Sequence, residues 1–180
     1  MRKIDNFENV EEVKNAPRLE PGPKICEVKK VTDVEDREYL KIEFDIVEEG
    51  DFKDNFKRIS NSIGAWPNQG TLYRSYKQTA LPYFKRFIVA VEKSNSDYKF
   101  NFDEQTLLGK KFVANFGIEE YDNGNEVKEG LKVQEVRSIA SLKEGKLDTP
   151  KPVRLPDDVH KKYEANTQDL PDVGDANLPF

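Results

Sequence analysis

The chain has 180 residues, of which 36% are hydrophobic and 35% charged, and its formal net charge is -5; this suits one domain of ordinary size with extensions and a small core. A single cysteine, Cys26, and a single histidine, His160, exclude a disulfide framework, a structural Cys/His zinc site and any Cys-His or Ser-His catalytic pair within 26–150. No apolar run approaches a membrane span or a signal-peptide core, so the expected compartment is the cytoplasm.

Residues 1–20 are charged and read as an N-terminal extension. Pro21-Gly22-Pro23 then marks the start of a domain expected over 21–154. Ile25 to Val34 is rich in β-branched residues and predicts a first strand. Tyr39 to Val47 predicts a second, because Leu40, Ile42, Phe44 and Ile46 alternate with Lys41, Glu43 and Asp45. The acidic stretch Asp33 to Glu38 between them predicts a hairpin turn. Phe52 to Ser60 reads as a third strand, and Asn61 to Gly70 as a loop carrying the only tryptophan. Thr79 to Ser94 changes period: Phe84, Phe87, Ile88 and Val91 form one helical stripe, with Pro82 in the first turn. Gly109 predicts a bend or close backbone approach. Lys111 to Tyr121 and Val127 to Ile139 predict two strands joined by the turn Asp122-Asn123-Gly124-Asn125. The expected fold is mainly β with one helix, an OB-fold-like five-stranded Greek-key barrel followed by a disordered acidic tail.

Charge is unevenly spread. Residues 53–93 hold 8 Lys/Arg against 2 Asp/Glu, whereas 155–180 hold 2 against 6. In the basic segment cations interleave with rings: Lys53, Phe56, Lys57, Arg58, Trp66, Tyr73, Arg74, Tyr76, Lys77, Lys85 and Arg86. Single-stranded nucleic acid calls for this pairing, since cations displace phosphate counterions and flat rings stack on bases. The alternative is a core of rings beneath a solvated basic face. Trp66, in a turn-rich loop, is expected to be exposed and to stack. Glu43 and Asp45 would repel phosphate if strand 2 met the ligand, so the expected track runs along the third strand, the Trp66 loop and Arg74 to Lys77.

Residues 155–180 contain Pro156, Pro171 and Pro179 and no base after Lys162, the composition of an extended, disordered tail. Asp172 and Asp175 precede Leu178-Pro179-Phe180, which offers a ring to an apolar pocket and carboxylates to its basic rim. The acidic tail is also expected to compete for the basic surface of its own domain.

This tip resembles the C-terminal tip of bacterial single-stranded DNA-binding proteins, which docks replication and repair partners, although Ala176 and Asn177 separate the acids from the hydrophobic end here. Residues 24–154 are similar to a family of phage and prophage proteins encoded among replication and recombination genes, some regarded as single-stranded DNA-binding proteins with this barrel fold. The likeness rests on Tyr39-Leu40-Lys41-Ile42-Glu43-Phe44-Asp45-Ile46, Arg74-Ser75-Tyr76-Lys77, Phe84-Lys85, Ser94-Asn95, Leu108-Gly109-Lys110-Lys111 and Glu119-Glu120-Tyr121. It implies a non-catalytic role in phage DNA metabolism, with single-stranded DNA and replication or recombination proteins as partners and a homo-oligomer as an option. Neither metal nor cofactor is expected. The acids of 33–36 and 119–122 fall in predicted turns and do not suit two-metal nuclease chemistry, and no Gly-rich phosphate loop is present. A strand-annealing or recombination-mediator protein is the alternative, and a protein-interaction module without nucleic acid the second.

Overall fold

The computed structural model describes residues 17–167, with side chains to Tyr163. In chain order the elements are β1 (Gly22–Val34), β2 (Tyr39–Ile46), α1 (Asn55–Ile63), β3 (Thr71–Ser75), α2 (Leu81–Ser94), β4 (Lys111–Asp122), β5 (Val127–Arg137), α3 (Ile139–Lys143) and α4 (Asp157–Thr167). The five strands form one antiparallel sheet in the order β3-β2-β1-β4-β5.

β1 organises the sheet because its two halves use different edges. Gly22 to Glu27 pair with β4 and Cys26 to Val34 pair with β2, with a register slip between Val28 and Lys30. A slip of this kind bends a strand and increases its twist. Where β4 has not yet begun, Gly109 N donates to Val28 O at 2.9 Å and Val28 N to Lys110 O at 3.0 Å. Of the bend or close approach expected at Gly109 the structure has the bend: its φ of +71° disfavours a side chain, although a Cβ there would meet nothing within 4 Å. The β1–β2 turn is a single 3-10 turn, Glu35–Arg37, closed by Glu38 in the left-handed region.

The alternation in β2 sends Leu40, Ile42, Phe44 and Ile46 inward, all buried. Phe44 is the hub of an aromatic core, with ring centroids 5.4 Å from Phe112, 5.6 Å from Phe56 and 6.4 Å from Phe116. α2 lays Phe87, Ile88 and Val91 on this core, as its stripe predicts. The β4–β5 turn is fixed by side chains: Asp122 Oδ1 accepts from Gly124 N, and Asn123 Oδ1 from Asn125 N and Glu126 N.

The expected third strand at Phe52 to Ser60 is instead a turn followed by α1, and the third strand is Thr71–Ser75. The cause lies eleven residues upstream. Asp45 is fully buried, and its carboxylate accepts from Phe56 N and Lys57 N at 2.9 Å each, satisfying the first amides of α1 from a neighbouring strand. Phe56 therefore faces the core, and Gly64 closes the helix at φ 76°.

The segment expected to be extended from 155 onward begins with α4. Val153 forms a parallel bridge to Glu119, beyond the point where β1 leaves β4. Glu120 Oε2 then accepts from Leu155 N and lies 2.9 Å from His160 Nε2, while Asp122 accepts from Lys162 Nζ and Tyr163 Oη. Asp157 and Asp158 in the first turn suit the helix dipole. The Leu155 amide first, and then His160, hold the Glu120 carboxyl below its usual 4.5. A carboxyl depressed in the folded state stabilises above its unfolded pKa and ceases to as pH falls through the folded value. The α4 strap is thus expected to loosen below pH 4.5. Glu120→Ala should raise amide exchange in 155–163 roughly tenfold at neutral pH and leave β1 and β4 protected; hydrogen exchange read by NMR checks this.

Candidate nucleic-acid interface

The same alternation that buries Leu40 and Ile42 turns Tyr39, Lys41 and Glu43 outward, opposite Ser75, Tyr73 and Thr71 of β3. Tyr39 and Tyr73 meet edge to face with ring centroids 5.6 Å apart and planes at 74°, and Tyr73 is 51% exposed. Beside them Lys41 Nζ lies 2.8 Å from Glu43 Oε1, a hydrogen bond that raises the lysine's pKa. Asp45, the next outward position, is covered by α1. Of the two acids expected to repel phosphate from strand 2, one is a buried helix cap and the other is ion-paired.

β3 and β5 are the edge strands, and both line one groove of about 790 Å³, through Thr71 to Arg74 on one side and Gly130 to Val133 on the other. Leu72, Leu131 and Val133 supply apolar walls. Tyr121 crosses from β4 so that its ring covers Gly130: a Cβ there would lie 3.1 Å from Tyr121 Cε1. Lys132 projects beside it, 2.9 Å from Glu119. On the β3 side Arg74 donates from Nη1 to Tyr73 O, whereas its Nε is buried without a hydrogen-bond partner among the described residues. Burial, and then the neighbouring Arg86 of α2, push the Arg74 pKa down. Such a guanidinium is incompletely satisfied by the protein, and an anion in the groove would relieve both the repulsion and the missing bond.

Arg74, opposite Leu40, meets Arg86 of α2 on the face of β3 away from Tyr73, so this pair and Tyr73 share the groove rather than one face of the strand; Lys85 is exposed on α2 and Lys77 in the turn before it. Other expected site residues have different duties. Phe56 is fully buried against Phe44 and Phe116 and is corrected to a core residue. Trp66 is half-buried rather than exposed, because its Nε1 finds Gly70 O at 2.9 Å and its ring packs on the core beside Phe56. Tyr76 Oη donates to Asp33 Oδ1 at 2.9 Å; burial and this bond raise its pKa to about 12, and the side chain fastens the β1–β2 turn. Lys53 pairs with Glu49, Arg58 Nη2 donates to Asp51 O, and Lys57 is exposed on α1, where packing is against β2. Asp172, Asp175, Leu178, Pro179 and Phe180 lie outside the described residues.

Sequence reasoning missed Tyr39, Lys41, Tyr121 and Lys132. For the first two the signal was present, since alternation with Leu40 and Ile42 already turns them outward. Tyr121 and Lys132 needed the spatial meeting of β3 and β5.

Among the described residues no group of three or more His, Cys, Asp or Glu is arranged to hold a metal ion. Glu119, Glu120 and Asp122 are engaged by Lys132, His160 and Lys162. No described helix is long and apolar enough to cross a membrane. No protein-family model matches the chain, and no curated protein matches it.

Proposed function

We propose that this protein binds single-stranded DNA without catalysis and with little sequence preference, in phage or prophage replication and recombination, and that its C-terminal segment recruits partner proteins. The observation that carries the reading is the outer surface of β2 and β3, where Tyr39 and Tyr73 flank Lys41, together with the adjoining β3–β5 groove, lined by Tyr73, Arg74, Tyr121 and Lys132. Rings offer stacking to any base, and the cations neutralise phosphate, so neither reads sequence. The strand order β3-β2-β1-β4-β5, the helix between β3 and β4, and the two edge strands facing one groove support a barrel of the oligonucleotide-binding type.

The test is a titration with oligo(dT) at two salt concentrations, read by Trp66 fluorescence and, independently, by anisotropy of a labelled strand. Trp66 leads into the Asn68–Gly70 turn at the rim of the groove, so a strand seated there should perturb it. Binding that weakens with salt supports the reading, and absence of binding at low salt overturns it. Removing 163–180 should tighten binding several-fold at low salt and have no effect at high salt, because competition by an acidic segment is electrostatic. An unchanged affinity at low salt removes the competition.

A further inference from the structure

Phe102, in the loop between α2 and β4, is 90% exposed, more than any other large apolar side chain of the described residues. Its φ of +66° lies in the left-handed region, where a bulky residue is strained. The loop nevertheless fixes the ring there. Glu92 of α2 accepts from Phe100 N at 3.1 Å, Asn101 Oδ1 from Asp103 N at 3.2 Å, and Asp103 Oδ1 from Gln105 N at 3.0 Å. Phe100 stands between Phe84 of α2 and Phe102, with ring centroids 6.1 Å and 5.6 Å away, so one side of the Phe102 ring is braced and the rest faces solvent. A ring held out in this way adds little to its own core and is preorganised for a partner.

Asp103 and Glu104 follow the ring directly, which makes the loop an apolar knob with an acidic flank. The β3–β5 groove is its complement. Leu131 and Val133 form apolar walls beside the rings of Tyr73 and Tyr121, Arg74 and Lys132 supply positive charge, and no carboxylate lines it. Lys132 has Glu119 as a partner, whereas Arg74 spends one nitrogen on Tyr73 O and pairs with no carboxylate among the described residues. At about 790 Å³ the groove has room for a phenyl ring and the residues beside it. Tyr73 and Tyr121 are exposed as well, so one contact would cover three of the seven large apolar side chains exposed among the described residues.

We propose that Phe102 of one copy enters the β3–β5 groove of another, with its ring against Leu131, Val133, Tyr73 and Tyr121 and its acidic flank toward Arg74. A second copy is the occupant because ring meets ring and acid meets base within one sequence. Knob and groove are different patches, so copies join head to tail, closing into a ring or extending as a chain. The contact itself does not involve DNA; only its consequence, that association and single-stranded DNA compete for the groove, rests on the DNA-binding reading.

Sedimentation of the full-length chain tests the contact without nucleic acid. Association is expected between about 10 µM and 1 mM, the range of a small reversible contact. Phe102→Asp should stay monomeric throughout, and because the ring lies outside the core this variant keeps its fold. Arg74→Glu, which places a carboxylate in the groove, should also stay monomeric. Mixed in equal amounts the two variants should form a one-to-one pair and nothing larger, since the first retains a groove and the second a knob. A monomeric wild type, association of equal strength in Phe102→Asp, or a mixture of folded variants that does not pair overturns the proposal. If Arg74→Glu fails to fold, the comparison of wild type with Phe102→Asp decides alone. Short oligo(dT) in excess should return the associated wild type to monomers bound to DNA. Association without any binding to oligo(dT) keeps the contact and rejects the DNA-binding reading. Binding to oligo(dT) by a chain that is monomeric in its absence does the reverse.

Discussion

Asp45→Ala is expected to lower the unfolding free energy by about 3–4 kcal/mol, the largest effect of any single substitution considered for this chain. The carboxylate is fully buried, and it accepts three amides at 2.9 Å each: Ile46 N and Phe56 N on Oδ1, and Lys57 N on Oδ2. Alanine removes the acceptor and leaves donors that the surrounding structure cannot pair. Each unsatisfied buried group costs about 1–3 kcal/mol, less whatever water and relaxation recover. Asn should cost about half as much, since its amide oxygen still accepts from one or two of the three amides. Because Phe56 follows the cap directly and packs against Phe44 and Phe116, losing the cap also loosens the aromatic core. Urea denaturation of the two variants measures both effects. A cost below about 1 kcal/mol for Ala would mean that α1 does not depend on this cap.

The same residue shows why part of the fold was legible in the sequence and part was not. Period-two alternation placed β2 correctly, because a strand buried on one face writes its orientation into consecutive residues. The stripe Phe84, Phe87, Ile88 and Val91 placed α2 for the equivalent reason. α1 carries apolar residues at helical spacing too, Phe56, Ile59 and Ile63, but its N-cap residue, Asp54, makes no side-chain cap hydrogen bond. Its cap comes from β2, a tertiary contact that local propensity cannot announce. α4 is similar. Its acidic, Pro-flanked sequence has little apolar content, and it forms against Glu120 and Asp122 of β4.

The candidate site divides along the same line. Ring and cation content in 53–93 singles out Tyr73, Arg74 and Arg86 as candidates, yet composition does not tell which face a ring takes. Phe56 is core because the cap turns it inward. Trp66 is half-buried because its only polar atom finds a carbonyl four residues away. The objection that strand 2 is acidic also came from composition; burial of Asp45 and pairing of Glu43 with Lys41 answer it, and neither is visible before the strands are paired.

Tyr73→Ala is expected to weaken oligo(dT) binding about 10- to 100-fold, the largest functional effect in the proposed interface. A ring that stacks on a base contributes about 1–3 kcal/mol, and each 1.4 kcal/mol is tenfold in affinity. Tyr73 is the ring best placed for it: 51% exposed, on an edge strand, and common to the β2–β3 face and the groove. Tyr39→Ala should cost less, because Tyr39 is half-buried and acts partly by bracing Tyr73 edge to face. The ring and charge contributions separate by salt. Arg74→Gln or Lys132→Gln should reduce the slope of log affinity against log salt by about 0.7 for each phosphate that is no longer neutralised, whereas Tyr73→Ala should leave the slope unchanged. Tyr76→Phe is the internal control, since its hydroxyl serves Asp33 and its removal should cost stability rather than affinity. Full affinity in Tyr73→Ala together with an altered slope in Arg74→Gln would keep the phosphate track and remove the base-stacking platform, and the strand would then follow the groove by charge alone.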